Sequence, residues 1–164
     1  MKTISFLIAV LSLAGCATRH EPIPANYSGP RANIADTWSL DANERDQVFA
    51  VLELDGKPIV NAVENTRSAS QGRGFQVVKR DASRDVPAGK LKLKIVGTHF
   101  SSAPIAEIAR RAAGTFQSIE GEVDLLALDG ERYKVTGELS KAGSCVWVAE
   151  AVSSKEVSSR VCSK

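Results

Sequence analysis

Hydrophobic and polar residues alternate along much of the chain, in segments that are short. Val48, Ala50, Leu52 and Leu54 fall on one side of a strand, and Asp55-Gly56 then supplies the chemistry of a tight hairpin turn. Leu91, Leu93 and Ile95 interleave with Lys90, Lys92 and Lys94, which predicts one dry and one wet face. Val123, Leu125 and Ala127 lead to a second Asp-Gly pair at 129–130. Tyr133, Val135, Gly137 and Leu139 oppose Arg132, Lys134, Thr136 and Glu138, and Ser144 to Val152 with Glu156 to Cys162 reads as a last hairpin. Strands at this spacing, with glycine-bearing turns between them, predict a mainly β fold, an antiparallel β-sandwich.

One segment departs from period two. In SSAPIAEIARRAAG, Ile105, Ile108, Ala109 and Ala112 recur at helical spacing, Pro104 lies in the first turn and Gly114 is placed to stop the helix. A single short helix over 103–113 is expected, with Arg110 and Arg111 on its solvated side. Between Asn61 and Gly74 the chain is polar and bears glycine, and it reads as a long loop. Loops of that length often carry function, and Arg67, Gln71 and Arg73 are the candidates there for hydrogen-bonding a sugar, a peptide or a carboxylate.

The first residues, MKTISFLIAVLSLAGC, have another character. Lys2 precedes an apolar run from Ile4 to Ala14, broken only by two serines. It is shorter than the roughly 20 apolar residues that span a bilayer, and it fits a secretory signal peptide over residues 1–15. Its end, Leu13-Ala14-Gly15-Cys16, resembles the lipobox of bacterial lipoproteins. The resemblance implies cleavage before Cys16, a diacylglycerol on its sulfur and acylation of the new amino group. One acyl chain anchors only marginally, at about 0.8 kcal/mol per buried methylene, and several together hold. Ala17, where the sorting pattern would otherwise have Asp, implies delivery to the outer membrane with the domain facing the periplasm. Residues 16–29, proline-rich and without hydrophobic period, read as a flexible tether, and 30–164 as the sandwich domain.

With Cys16 carrying lipid in an exported chain, Cys145 and Cys162 remain as an even pair in an oxidising compartment and are expected to form a disulfide. If they face each other across the last hairpin, Val146 meets Val161, Trp147 meets Arg160, and Ala151 meets Glu156. The stretch VPAGKLKLKIVG resembles the Pro-x-Gly turn of small extracytoplasmic sandwich modules of the PEGA kind. Together with LDGERYKV and VWVAEAV, it makes residues 86–152 resemble small bacterial lipoproteins of Ig-like or transthyretin-like build. That resemblance implies a fold and no active site. Tyr133, placed after Asp129-Gly130, is similar in spacing to the tyrosine corner of Ig-like sandwiches.

Charge and chemistry narrow the reading further. Without residues 1–15 the chain keeps 149 residues, 20 basic and 19 acidic, which gives no reason to expect nucleic acid or an electrostatic grip on anionic membranes. The histidines and cysteines lack ligand spacing, so no metal and no cofactor are expected. His20 lies in the tether and reads as solvated. His99 stands before Ser101 and Ser102, with no nucleophile elbow, and reads as a strand-end residue with a backbone partner. Glu120, Glu122 and Asp124 read as a wet strand face, and Trp38 and Trp147 as packing residues. The expectation is a non-catalytic binding or interaction module, held at the membrane by the lipid on Cys16, with an envelope protein or peptidoglycan as partner. Two other readings stand beside it: a small envelope hydrolase using His99 or a carboxylate pair, and a structural subunit of an envelope or secretion assembly.

Overall fold

The structure, a computed structural model, describes residues 19–163; Cys16, the signal peptide and the start of the tether lie outside them. Ten strands form two sheets. The first sheet takes β1 (Arg31–Ala35), β5 (Ser83–Pro87), β8 (Arg132–Ser140), β9 (Gly143–Glu150) and β10 (Val161–Cys162), in the order β10-β9-β8-β1-β5. The second takes β2 (Thr37–Leu40), β3 (Asp46–Leu54), β6 (Gly89–His99) and β7 (Ser118–Ala127) in that order, with β4 (Lys57–Pro58) paired to β3. The pairings are antiparallel except β1 with β8, which run parallel. A β-sandwich is therefore present, with one parallel ladder inside it.

The alternating segments build the main core. Leu91, Leu93 and Ile95 of β6 face Val123, Leu125 and Ala127 of β7 and Tyr133, Val135 and Leu139 of β8 in one cluster between the sheets. Their polar neighbours stay wet, and Lys92 and Lys94 form ion pairs with Glu122 and Glu120. Asp55 and Gly56 carry positive φ values of 49° and 74° and turn β3 into β4 as expected. Two glycines allow a close approach: a Cβ on Gly137 would lie 2.6 Å from the Phe49 ring and 2.3 Å from the Cys145 carbonyl, and one on Gly121 would lie 2.7 Å from Val161. Phe49 occupies the space at Gly137, and Val161 that at Gly121.

β3 corrects one expectation. Its ladder with β6 passes from Val51↔Ile95 to Glu53↔Lys94, so Leu52 is an extra residue in a bulge. The bulge switches faces. Phe49, Val51 and Leu54 point into the core between the sheets, while Val48, Ala50 and Leu52 point outward. That outer face is covered, and a second core forms there from Val48, Ala50, Val96 and Phe100 with Ala62 and Val63.

The cover is a helix where a loop was expected. Residues Ala62–Ser70 form α1, with Asn61 as N-cap accepting from the Glu64 N–H at 3.0 Å. Its buried positions are Ala62, Val63, Thr66 and Ser70, a helical spacing filled half by hydroxyl residues. Those hydroxyls hold the returning chain: the Arg80 N–H donates to Thr66 Oγ1 at 2.8 Å and the Val78 N–H to Ser70 Oγ at 2.9 Å. The second helix, α2 (Pro104–Ala112), appears where predicted and stops at Gly114 with φ 63°. Its orientation departs from the expectation in part: Arg111 is exposed as expected, but the rest of the helix is turned otherwise. Arg110 is half-buried and reaches the Phe100 carbonyl, whereas Ile105 and Ile108 are 71% and 67% exposed.

The last hairpin closes with Cys145 bonded to Cys162 and Val146 opposite Val161. The Arg160 guanidinium lies 4.0 Å over the Trp147 ring. Farther along, Glu156 meets Ala149 in place of Ala151, because the chain between Glu156 and Val161 takes two more residues than a straight ladder would. Residues 19–29, expected as a free tether, return to the fold. The His20 N–H donates to the Pro58 carbonyl at 2.9 Å, and Arg19 pairs with Glu64 of α1 at 2.8 Å.

Candidate functional site

The outer layer over the second sheet carries the clearest concavity with polar walls. A groove of about 270 Å³ runs between α1 and α2. Its floor is Leu52, Val96 and Phe100, and its walls carry Glu64 and Arg67 from α1 and Glu107 and Arg111 from α2. Arg111 stacks 4.1 Å from the Phe116 ring and holds Glu107 at 2.8 Å. Glu120, at the groove's margin on β7, is paired with Lys94 at 2.9 Å. Each of the three wall carboxylates thus has a cation beside it, since Glu64 has Arg19. Among the described residues, no ion pair includes Arg67. An apolar floor with a free guanidinium on one wall suits a ligand with an anionic group and an apolar body.

The predicted ligand residues are only partly brought together. Arg67 lines the groove, but Gln71 and Arg73 lie past the end of α1, exposed, with their N–H groups donating to Ser68 and Ser70 carbonyls. They belong to a turn after a helix, not to one recognition loop.

His99 closes the inner end of the groove, and its ring is fully engaged. Nδ1 accepts from the Gln117 N–H at 3.0 Å, so the proton sits on Nε2, which donates to Asp41 Oδ2 at 3.2 Å. Burial holds the imidazole below its ordinary pKa, so the ring stays neutral at pH 7. Burial would also raise the Asp41 carboxyl. Hydrogen bonds from the Arg45 side chain, from the Arg45 and Asn43 N–H groups and from His99 outweigh it and hold Asp41 well below the carboxylate range. Ser101 Oγ donates to the Ala103 carbonyl and Ser102 Oγ to that of Gly74, so neither hydroxyl is hydrogen-bonded to the imidazole. The cluster ties the β2–β3 turn to the end of β6.

Asp36 is a site residue that the sequence pattern did not expose. The chain leaves β1 in one sheet and enters β2 in the other there, which buries the side chain completely. Oδ1 accepts from the Val51 N–H beside the bulge at 3.1 Å, and Oδ2 from the first N–H of α1, that of Ala62, at 2.7 Å. Arg84 Nη1 stands 2.8 Å from Oδ1 as an ion pair, and both Nη1 and Nη2 are buried without a hydrogen-bond partner. Burial pushes this carboxyl above its ordinary value, against the pull of Arg84 and the two amides. A polar residue between two alternating strands looks like a turn in sequence; only the sheet switch makes it a buried hub.

Among the described residues, no group of three or more His, Cys, Asp or Glu side chains is placed to hold a metal ion, and no helix is long and apolar enough to cross a membrane. No family model, curated protein or solved structure matches the chain.

Proposed function

We propose that the protein is a lipid-anchored lipoprotein of the cell envelope whose sandwich binds a partner without chemistry of its own. The α1–α2 groove carries this reading, because it sets the unpaired Arg67 guanidinium over an apolar floor. The engaged nitrogens of His99 and the paired carboxylates of Glu64, Glu107 and Glu120 weigh against a hydrolase. The sandwich is of Ig-like or transthyretin-like kind; in support, Tyr133 Oη accepts from the Leu128 N–H at 3.0 Å, the backbone tie of a tyrosine corner. The partner in this reading is an envelope protein or peptidoglycan. A photo-reactive residue in place of Ser118, exposed at the groove's edge, should capture one partner in intact envelopes; free wild-type chain should compete for it, and free Arg67→Ala chain should not. Capture that is unchanged when the probe is moved to Lys134 of β8 would refute the groove. Cys16→Ser should lose acylation and leave the membrane fraction; continued membrane binding would refute the anchor.

A further inference from the structure

α2 is amphipathic with its apolar side turned out. Glu107 and Arg111 face the groove, and Ala106 and Arg110 face the fold beside Phe100. Ile105, Ile108, Ala109 and Ala112 occupy the opposite side, exposed, and Phe75 stands 76% exposed beside the start of the helix, where Ser102 Oγ donates to the Gly74 carbonyl. A soluble surface seldom gathers two isoleucines and a phenylalanine in this way.

Where the chain enters the fold says what covers them. Arg19 is fastened to Glu64 on the groove's α1 wall, and only two residues separate it from Cys16. At no more than about 3.5 Å per residue, three residues of chain span at most roughly 10 Å from Cα to Cα, which is the reach available between Arg19 and Cys16. A lipid there brings the headgroup layer against the outer face of α1 and α2.

We infer that the outward side of α2, with Phe75, lies in the headgroup layer of the bilayer that holds the lipid. Amphipathic helices bind membranes in this way, by burying their apolar side at the headgroup boundary. The groove lies on the other side of α2, so a partner and the bilayer do not compete. The inference rests on the lipoprotein reading for its geometry.

The test places an environment-sensitive fluorophore on Ile108→Cys in the full-length protein, purified in acylated form and reconstituted into phosphatidylethanolamine–phosphatidylglycerol vesicles. Emission should shift to the blue and be quenched by bromine-labelled lipid tails, whereas a fluorophore on Lys134→Cys of β8 should do neither. Ile105→Glu with Phe75→Ser should return the signal at 108 to the level of that control; their exposure keeps the fold out of the comparison. A solvent-like signal at 108 in protein whose Cys16 is acylated by intact mass overturns the inference and leaves the anchor standing. A 108–108 cross-link between two copies, or quenching lost only when a protein partner is added, also overturns it. If Cys16 carries no lipid, the anchor fails, and flotation of the same chain with these vesicles decides the face: binding lost with Ile105→Glu supports it, and no binding overturns it.

Discussion

Replacing Asp36 by asparagine should be among the most damaging single changes in the protein, although it alters one atom. The wild-type carboxylate accepts from two amides, the Val51 N–H at 3.1 Å and the Ala62 N–H at 2.7 Å, and pairs with the Arg84 cation 2.8 Å away. An asparagine keeps one acceptor and turns an NH2 toward a group that is itself a donor. Arg84 is left as a buried, uncompensated charge, and neither of its Nη atoms has a hydrogen-bond partner to fall back on. Breaking a buried pair from one side costs about 3–5 kcal/mol, a large share of the 5–15 kcal/mol that typically holds a domain. With a urea slope of roughly 2 kcal/mol per molar, the unfolding midpoint should fall by about 2 M. Arg84→Met should cost distinctly less, because Asp36 keeps both amide donors and, already pushed up by burial, takes up a proton. The double variant should recover most of the loss of Asp36→Asn. Urea unfolding followed by far-ultraviolet circular dichroism measures all three. A midpoint shift below about 0.5 M for Asp36→Asn, or a double variant no better than that single one, would refute the account of the hub.

Other outcomes follow from the same structure. Lowered folded-state pKa values at His99 and Asp41 mean that the unfolded chain binds protons more readily there. Stability should therefore be fully present above about pH 6.5, decline as His99 protonates below it, and fall again below about pH 4 as Asp41 is lost. In pH-dependent melting, Asp41→Asn should flatten the second decline and deepen the first, because the Asp41 carboxylate otherwise holds the His99 pKa up. Reducing Cys145–Cys162, 17 residues apart, should cost about 3 kcal/mol on the chain-entropy account, seen as a lower urea midpoint in dithiothreitol. Gly137→Ala should destabilise by about 1–3 kcal/mol or more, since the Cys145 carbonyl at 2.3 Å is backbone and cannot give way; an unchanged melting temperature would contradict the packing around Phe49.

The strands from β6 to β9 were legible because their signal is local. Leu91, Leu93 and Ile95 against three lysines, and Tyr133, Val135 and Leu139 against polar neighbours, carry the face of each strand in period two. The register at the disulfide end was legible too, since one cysteine pair sets which residues oppose. α1 was not, because Thr66 and Ser70 fill the buried positions that a pattern reader assigns to Leu or Val. The one cue was Asn61 three residues before Glu64, a capping arrangement. The candidate site suffered from the same cause. Arg67 was picked out in a stretch read as a loop, and the helix then separated it from Gln71 and Arg73 and set it opposite Glu107 and Arg111.

By itself, the sequence determined the strands from β6 to β9, the wet and dry faces of β6, β7 and β8, the second helix and the cysteine pair, all of which depend on neighbours within a few residues. Only the tertiary structure decided which way that helix turns, that a bulge at Leu52 sends one strand into two cores, and that Asp36 is the point where the chain changes sheets. The physical reason is that an apolar stripe states a preference for burial and not the surface that will meet it. For β6, β7 and β8 that surface is the other sheet. On α2 the side facing the fold is taken by Ala106 and Arg110, so the stripe of Ile105 and Ile108 is left facing outward.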